Sequence, residues 1–121
     1  MAVIGRKVGR LDIRLVRGDT QCVGGRWRKR NLVTGETTPV DLRAWAGQIE
    51  MRSPDGRELW FEHACETMTS DGYAICDIPS NAFTGEQWGT RRSGQWKIVV
   101  SHRAHRAHRQ TLAWGYWTLS E

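Results

Sequence analysis

Three cysteines in 121 residues are too few for a disulfide scaffold or a four-ligand zinc site. Their scattered spacing, at Cys22, Cys65 and Cys76, fits neither framework. No apolar run approaches the ~18 residues that cross a bilayer as a helix. The N-terminal Met1-Ala2-Val3-Ile4-Gly5-Arg6 lacks the long apolar stretch of a secretory signal, which gives the expectation of a protein folded in a cytosol. In that compartment Cys22 and Cys76 read as small core hydrophobes, and a Cys65–Cys76 disulfide is not expected. There is no phosphate loop, no Ser/His/Asp or Cys/His arrangement on a strand–turn–helix elbow, and no paired acids, since Asp12, Asp41 and Asp77 stand singly. No enzyme is expected, and no cofactor.

What is present is charge and tryptophan. The net charge of +5 hides a segregation. Residues 1–30 hold nine basic and two acidic side chains, residues 31–90 three and ten, and residues 91–121 six and one. Fifteen of the 18 cations are Arg, the residue suited to ion pairs at interfaces and to phosphate. Basic ends around an acidic middle fit a subunit meeting unlike-charged neighbours, a nucleic-acid binder, or segments that attract one another within one domain.

The periodicity is that of strands. Leu11, Ile13 and Leu15 alternate with Asp12 and Arg14. Further strands are expected over 21–33 (interrupted at Gly24-Gly25), 43–53, 57–63, 72–78, 94–102 and 110–119, with 34–39 a connection and one short helical turn within 79–88 capped by Ser80. About seven strands predict an all-β fold, a single antiparallel β-sandwich over 11–121, preceded by a basic arm at 1–10. Pro54-Asp55-Gly56 predicts a three-residue hairpin loop with Gly56 at positive φ. Ser53 would then face Arg57, Arg52 face Glu58, Met51 face Leu59 and Ile49 face Phe61. A two-residue Asp-Gly loop would pair Arg52 with Leu59 and spoil the apolar face.

His102, His105 and His108 are spaced to meet a metal only on a helix. They lie between two strands, among Arg103, Arg106 and Arg109, which would repel a dication, so a basic hairpin tip able to touch phosphate or an acidic subunit is expected. Arg17-Gly18-Asp19 matches an adhesion tripeptide but reads as a turn with Thr20. Trp96, Ile98 and Val100 share one face of their strand and are expected in the core. In 110–119, Leu112, Trp114 and Tyr116 share one parity and Ala113, Trp117 and Leu119 the other. A strand apolar on both faces fits either an interface or cover by a loop or the N-terminal arm; for the interface, Trp117 and Leu119 are assigned, with Trp27, Trp60, Arg103, Arg106 and Arg109. Carbohydrate binding would want carboxylates or amides around the exposed rings, whose sequence neighbours are mostly basic.

The order of motifs resembles a known group. Arg17-Gly18-Asp19-Thr20 is followed by Pro39-Val40-Asp41-Leu42-Arg43-Ala44-Trp45, Ile49-Glu50-Met51-Arg52 with Pro54-Asp55-Gly56, Ile78-Pro79, Gly94-Gln95-Trp96-Lys97-Ile98-Val99-Val100, and Thr111-Leu112-Ala113-Trp114-Gly115-Tyr116-Trp117. Over nearly the whole chain this is similar to the small immunoglobulin-like β-sandwich proteins of tailed bacteriophages, among them minor tail proteins and the N-terminal domain of baseplate upper proteins. The resemblance implies a virion structural protein, assembled in the host bacterial cytoplasm and docked to tail, baseplate or connector subunits, with no catalytic residues and no membrane partner, and with a homo-oligomer in the particle open. A capsid decoration protein of the same fold, or a basic nucleic-acid-binding β-barrel using exposed Trp as stacking platforms, are the alternatives.

Overall fold

Two tryptophans organise the main sheet, and each stands opposite a glycine. In the computed structural model, which describes residues 9–121, the chain forms ten strands: β1 (Ile13–Val16), β2 (Gln21–Arg26), β3 (Arg28–Arg30), β4 (Thr37–Pro39), β5 (Trp45–Arg52), β6 (Leu59–Ala64), β7 (Thr67–Met68), β8 (Tyr73–Ile78), β9 (Ser93–His102) and β10 (Arg109–Ser120). On β9 and β10 the sequence repeats Gly-x-Trp, at Gly94/Trp96 and Gly115/Trp117. The antiparallel register sets Trp96 against Gly115 and Trp117 against Gly94. Each indole lies over the bare backbone of its partner. A Cβ on Gly115 would collide with the Leu11 carbonyl, and one on Gly94 with the Arg52 carbonyl. The indole N–H groups find acceptors there: Trp96 Nε1 donates to Leu11 O at 2.8 Å, and Trp117 Nε1 to Arg52 O at 3.2 Å. Buried indoles thus keep their polar edge satisfied.

The strands make three sheets. The largest has the order β1-β10-β9-β5-β6, and the second β2-β8-β7. β3 and β4 form a separate two-stranded ribbon. All pairings are antiparallel except β1 with β10, which is parallel. One core draws on both larger sheets, with Ile49, Met51, Trp96, Ile98, Val100, Trp117 and Leu119 from the first and Val23, Ala74, Cys76 and Ile78 from the second. Leu42, Phe83 and Trp88, carried on connections, close it. The molecule is therefore all-β, as its alternation implies. The expected count of seven strands omitted β4 and β7 and joined β3 to β2 in one strand over 21–33: 34–39 is not merely a connection, because Thr37–Pro39 returns as β4. Arg17–Thr20 is a turn, closed by Asp19 N–H to Val16 O at 3.2 Å with Gly18 at φ 92°. The helical piece is a 3-10 turn at Glu86–Gly89, preceded by Gly85 with no side-chain cap, so Ser80 does not serve as one. Of the basic arm expected at 1–10, residues 1–8 lie outside the described residues. Arg10 bridges to Trp114 beside β1.

The hairpin after β5 departs from its expected register. Gly56 has φ 77° and its N–H reaches Ser53 O at 2.8 Å, as a type I turn with a left-handed glycine requires. The loop is nevertheless one residue longer. Asp55 Oδ1 accepts the Ser53 hydroxyl at 2.6 Å and the Arg57 N–H at 3.0 Å, and Ser53 pairs with Glu58 through N–H to O at 3.0 Å. Arg52 therefore faces Leu59. A bulge at Trp60 then restores the apolar face by setting Met51 against Phe61 and Ile49 against His63. Side-chain hydrogen bonds of the loop, invisible to a hydrophobic pattern, decide the register.

Cys76 lies in the core as expected, but two other cysteine expectations reverse. Cys65, leaving β6, and Cys76, on β8, form a disulfide with Cα atoms 4.1 Å apart, because β6 and β8 approach one another at this point of the core. Cys22 is exposed rather than core. Trp117 and Leu119 are buried beneath the sheet, so their assignment to an outer surface fails. A bulge at Leu112 shifts parity between Thr111 and Ala113. It turns Trp117 inward and leaves Trp114 and Tyr116 outside.

Trp96→Ala and Trp117→Ala should each cost ~3–5 kcal/mol of stability, read as comparable losses of melting temperature. Trp114→Ala should melt within a few degrees of the parent. Gly56→Ala should cost ~1 kcal/mol, since a Cβ is penalised at positive φ.

Candidate functional site

The outer face of the large sheet is knit by charge. Glu50 points outward from β5 between Arg52, Lys97 and Glu62 on neighbouring positions, yet is only 3% exposed. Arg109 crosses from β10 and donates Nη2 to Glu50 Oε2 at 3.0 Å; Arg52 Nη2 donates to Oε1 at 2.8 Å, and Gln48 Nε2 to Oε2 at 3.2 Å. Burial pushes the Glu50 carboxyl up, but the hydrogen bonds of Arg52 and Gln48 and the charge of Lys97 outweigh it, and the net position is below the usual carboxylate value. Arg109, expected at an interface, is thus committed to an internal ion pair.

At the β1 edge lies an exposed aromatic ridge. Trp114 is 37% exposed and Tyr116 42%, with their rings 6.2 Å apart. Beside them Leu11 is 57% exposed, its N–H donating to Trp114 O at 2.8 Å. The Arg10 guanidinium lies 4.7 Å over the Tyr116 ring, held by Asp12 at 3.0 Å. Asp12 also accepts the Tyr116 N–H at 3.1 Å. Its carboxyl is held below the ordinary value, by the Arg10 hydrogen bond first and then by this N–H. The sequence reading picked the wrong parity of this strand: the outward aromatics are Trp114 and Tyr116.

The third feature is one end of the molecule. Trp27, buried between β2 and β3, meets Trp45 edge-on at 5.1 Å, and both rings contact His108, at 6.5 and 4.8 Å. His102 packs on Trp45 at 5.1 Å. The 103–108 loop is closed by His102 N–H to His108 O and tied down by Arg103 N–H to Ala44 O. It is the hairpin tip that the sequence implied. Among the described residues no group of three His, Cys, Asp or Glu side chains converges as a metal site. The Trp27 cluster brings the loop, with Arg103, Arg106 and His105 exposed, to the start of the ribbon strand β3, whose Arg28, Lys29 and Arg30 are all exposed. Leu32 and Val33 stand exposed at the ribbon's tip. Trp27 is thus an anchor beneath the surface rather than part of it. Trp60 is half-buried against Trp117 at 6.1 Å, with Arg91 4.7 Å over its ring.

The Gly-x-Trp pair was the signal in the sequence that would have assigned Trp117 to the core. Nothing in the sequence marks Glu50 as buried. Compared with known proteins, the chain has no match among protein-family models and none among curated proteins.

Because the folded Glu50 carboxyl titrates below its ordinary value of 4.5, the unfolded chain takes up the proton first. Stability from this group is complete above that value and is lost as pH falls through the folded one. Asp41, held to about 2 by the hydrogen bond from Arg43, acts in the same direction. Melting temperature should be level above pH ~5 and fall below ~4.5. Glu50→Gln should cost about 1–3 kcal/mol at neutral pH, the partly exposed arginines lessening the penalty of an unpaired buried charge, and should flatten the acid limb of the melting profile.

Proposed function

We propose that this chain is a non-catalytic structural subunit of a tailed-phage particle, docked at the tail tip, baseplate or connector through protein–protein contacts, with its two larger sheets serving as the layers of an immunoglobulin-like sandwich. The observation that carries the docking is the ridge of Trp114 and Tyr116. Two large aromatic side chains stand together on the outer side of an otherwise polar sheet, and Leu11 is exposed at its β1 edge. Aromatic residues rimmed by ordered Arg and Asp are the composition of a protein interface, in which a Trp or Tyr anchor supplies much of the affinity. Pre-stacking by Arg10 lowers the entropy lost when a partner covers the rings. The order of turn and strand motifs across the chain supports placing that interface in a phage particle.

The test is the protein content of purified particles. The chain should be found by mass spectrometry in virions of the phage that encodes it, and its absence from them overturns the reading. A Trp114→Ala/Tyr116→Ala double variant should keep the parental melting temperature within a few degrees and drop at least tenfold in particle occupancy. Normal occupancy of that variant would remove the ridge as the docking face.

A further inference from the structure

Most of the arginines in the described fold are compensated. Arg10, Arg17, Arg43, Arg52, Arg57, Arg92 and Arg109 each pair with a carboxylate. Arg26 lies 4.5 Å over Tyr73, and Arg91 lies over Trp60 and Trp88. Among the described residues, Arg14, exposed on β1, has neither a carboxylate partner nor a ring, and the same holds for Arg28, Arg30, Arg103 and Arg106. The last four are exposed, and the Trp27–Trp45–His108 cluster gathers them at one end, although about 75 residues of chain separate the two pairs. Lys29 adds its ammonium 6.0 Å over the Trp27 ring, and His105 lies at the loop tip. Uncompensated cations repel one another, and their gathering here is held by aromatic packing rather than by counter-charges. The complementary ligand is a multiply charged anion long enough to meet a ribbon and a loop together.

We infer that this end binds the phosphate backbone of a nucleic acid, without reading base sequence. The planar guanidinium forks suit phosphate oxygens. Beside the cations the ribbon exposes Asn31, Thr34, Glu36, Thr37 and Thr38, but cations predominate at this end, so affinity rests on phosphate neutralisation and counterion release. The inference does not rest on the particle reading above; either stands if the other falls.

The test uses the full chain and a fluorescein-labelled, mixed-sequence 20-base-pair DNA duplex, read by fluorescence anisotropy. With four arginines on phosphates, the association constant should fall about 10²-fold between ~50 and ~200 mM salt. Arg103→Glu/Arg106→Glu and, separately, Arg28→Glu/Arg30→Glu should each weaken binding at least tenfold and lower the salt slope by about 2. Arg14→Glu/Arg57→Glu, which makes the same change in net charge elsewhere, should weaken it less than threefold. Two independent pairs guard against one that disturbs folding, which a melt of each variant reports. No binding at ~50 mM salt overturns the inference, as does equal weakening by the control pair. Displacement of the duplex by polyglutamate at equal charge concentration also overturns it, and assigns the surface to an acidic protein.

Discussion

The crossed pairing of Trp96 with Gly115 and Trp117 with Gly94 is the constraint on which the rest hangs. Two strands that each offer a glycine where the other offers an indole can bring both rings into one layer without separating their backbones. The indole N–H groups then reach across to Leu11 and Arg52. The first contact fixes the segment leading into β1 against β10. The second fixes the end of β5 against β9. Parallel β1 thus enters the sheet because an indole from the far side of β10 holds its approach. Losing either indole removes a large buried area and takes a hydrogen bond from the backbone carbonyl it meets.

With that layer set, the remaining surface of the sheet follows. Once Trp117 is inside, Trp114 and Tyr116 must be outside, and the bulge at Leu112 lets the start of β10 keep Arg109 and Thr111 on the outer face with them. Arg109 can then cross to Glu50, and the acidic middle of the sequence meets the basic C-terminal part within one molecule. The charge segregation along the chain is therefore partly internal. Arg28, Arg30, Arg103 and Arg106, which make no internal pair, are collected at the end where β9 passes into β10 and the Trp27–Trp45–His108 cluster joins the two cationic segments.

The aromatic ridge and the cationic end lie on different parts of the fold and differ in chemistry. The ridge offers apolar area with ordered ion pairs around it, suited to a protein surface. The cationic end offers exposed charge over a packed aromatic base, suited to an anion read by its charge.

The sequence by itself determined the all-β class and the position of most of its strands, because a period of two in apolar residues is a local property that any half-buried strand must show. It also determined the Arg17–Thr20 turn, the left-handed Gly56, the core role of Trp96 and the hairpin character of 103–108, each set by residues within a few positions of one another. It did not determine which face of β10 is covered, since both parities are apolar and the choice depends on glycines and a bulge paired across strands. The register after Pro54 escaped it because Ser53 and Asp55 lengthen the loop through side-chain hydrogen bonds. The joining of Cys65 to Cys76, the burial of Glu50 and the convergence of Arg28 and Arg30 with Arg103 and Arg106 were decided by the tertiary structure alone. Each depends on distance in space between segments far apart in the chain, and local pattern carries no information about that distance.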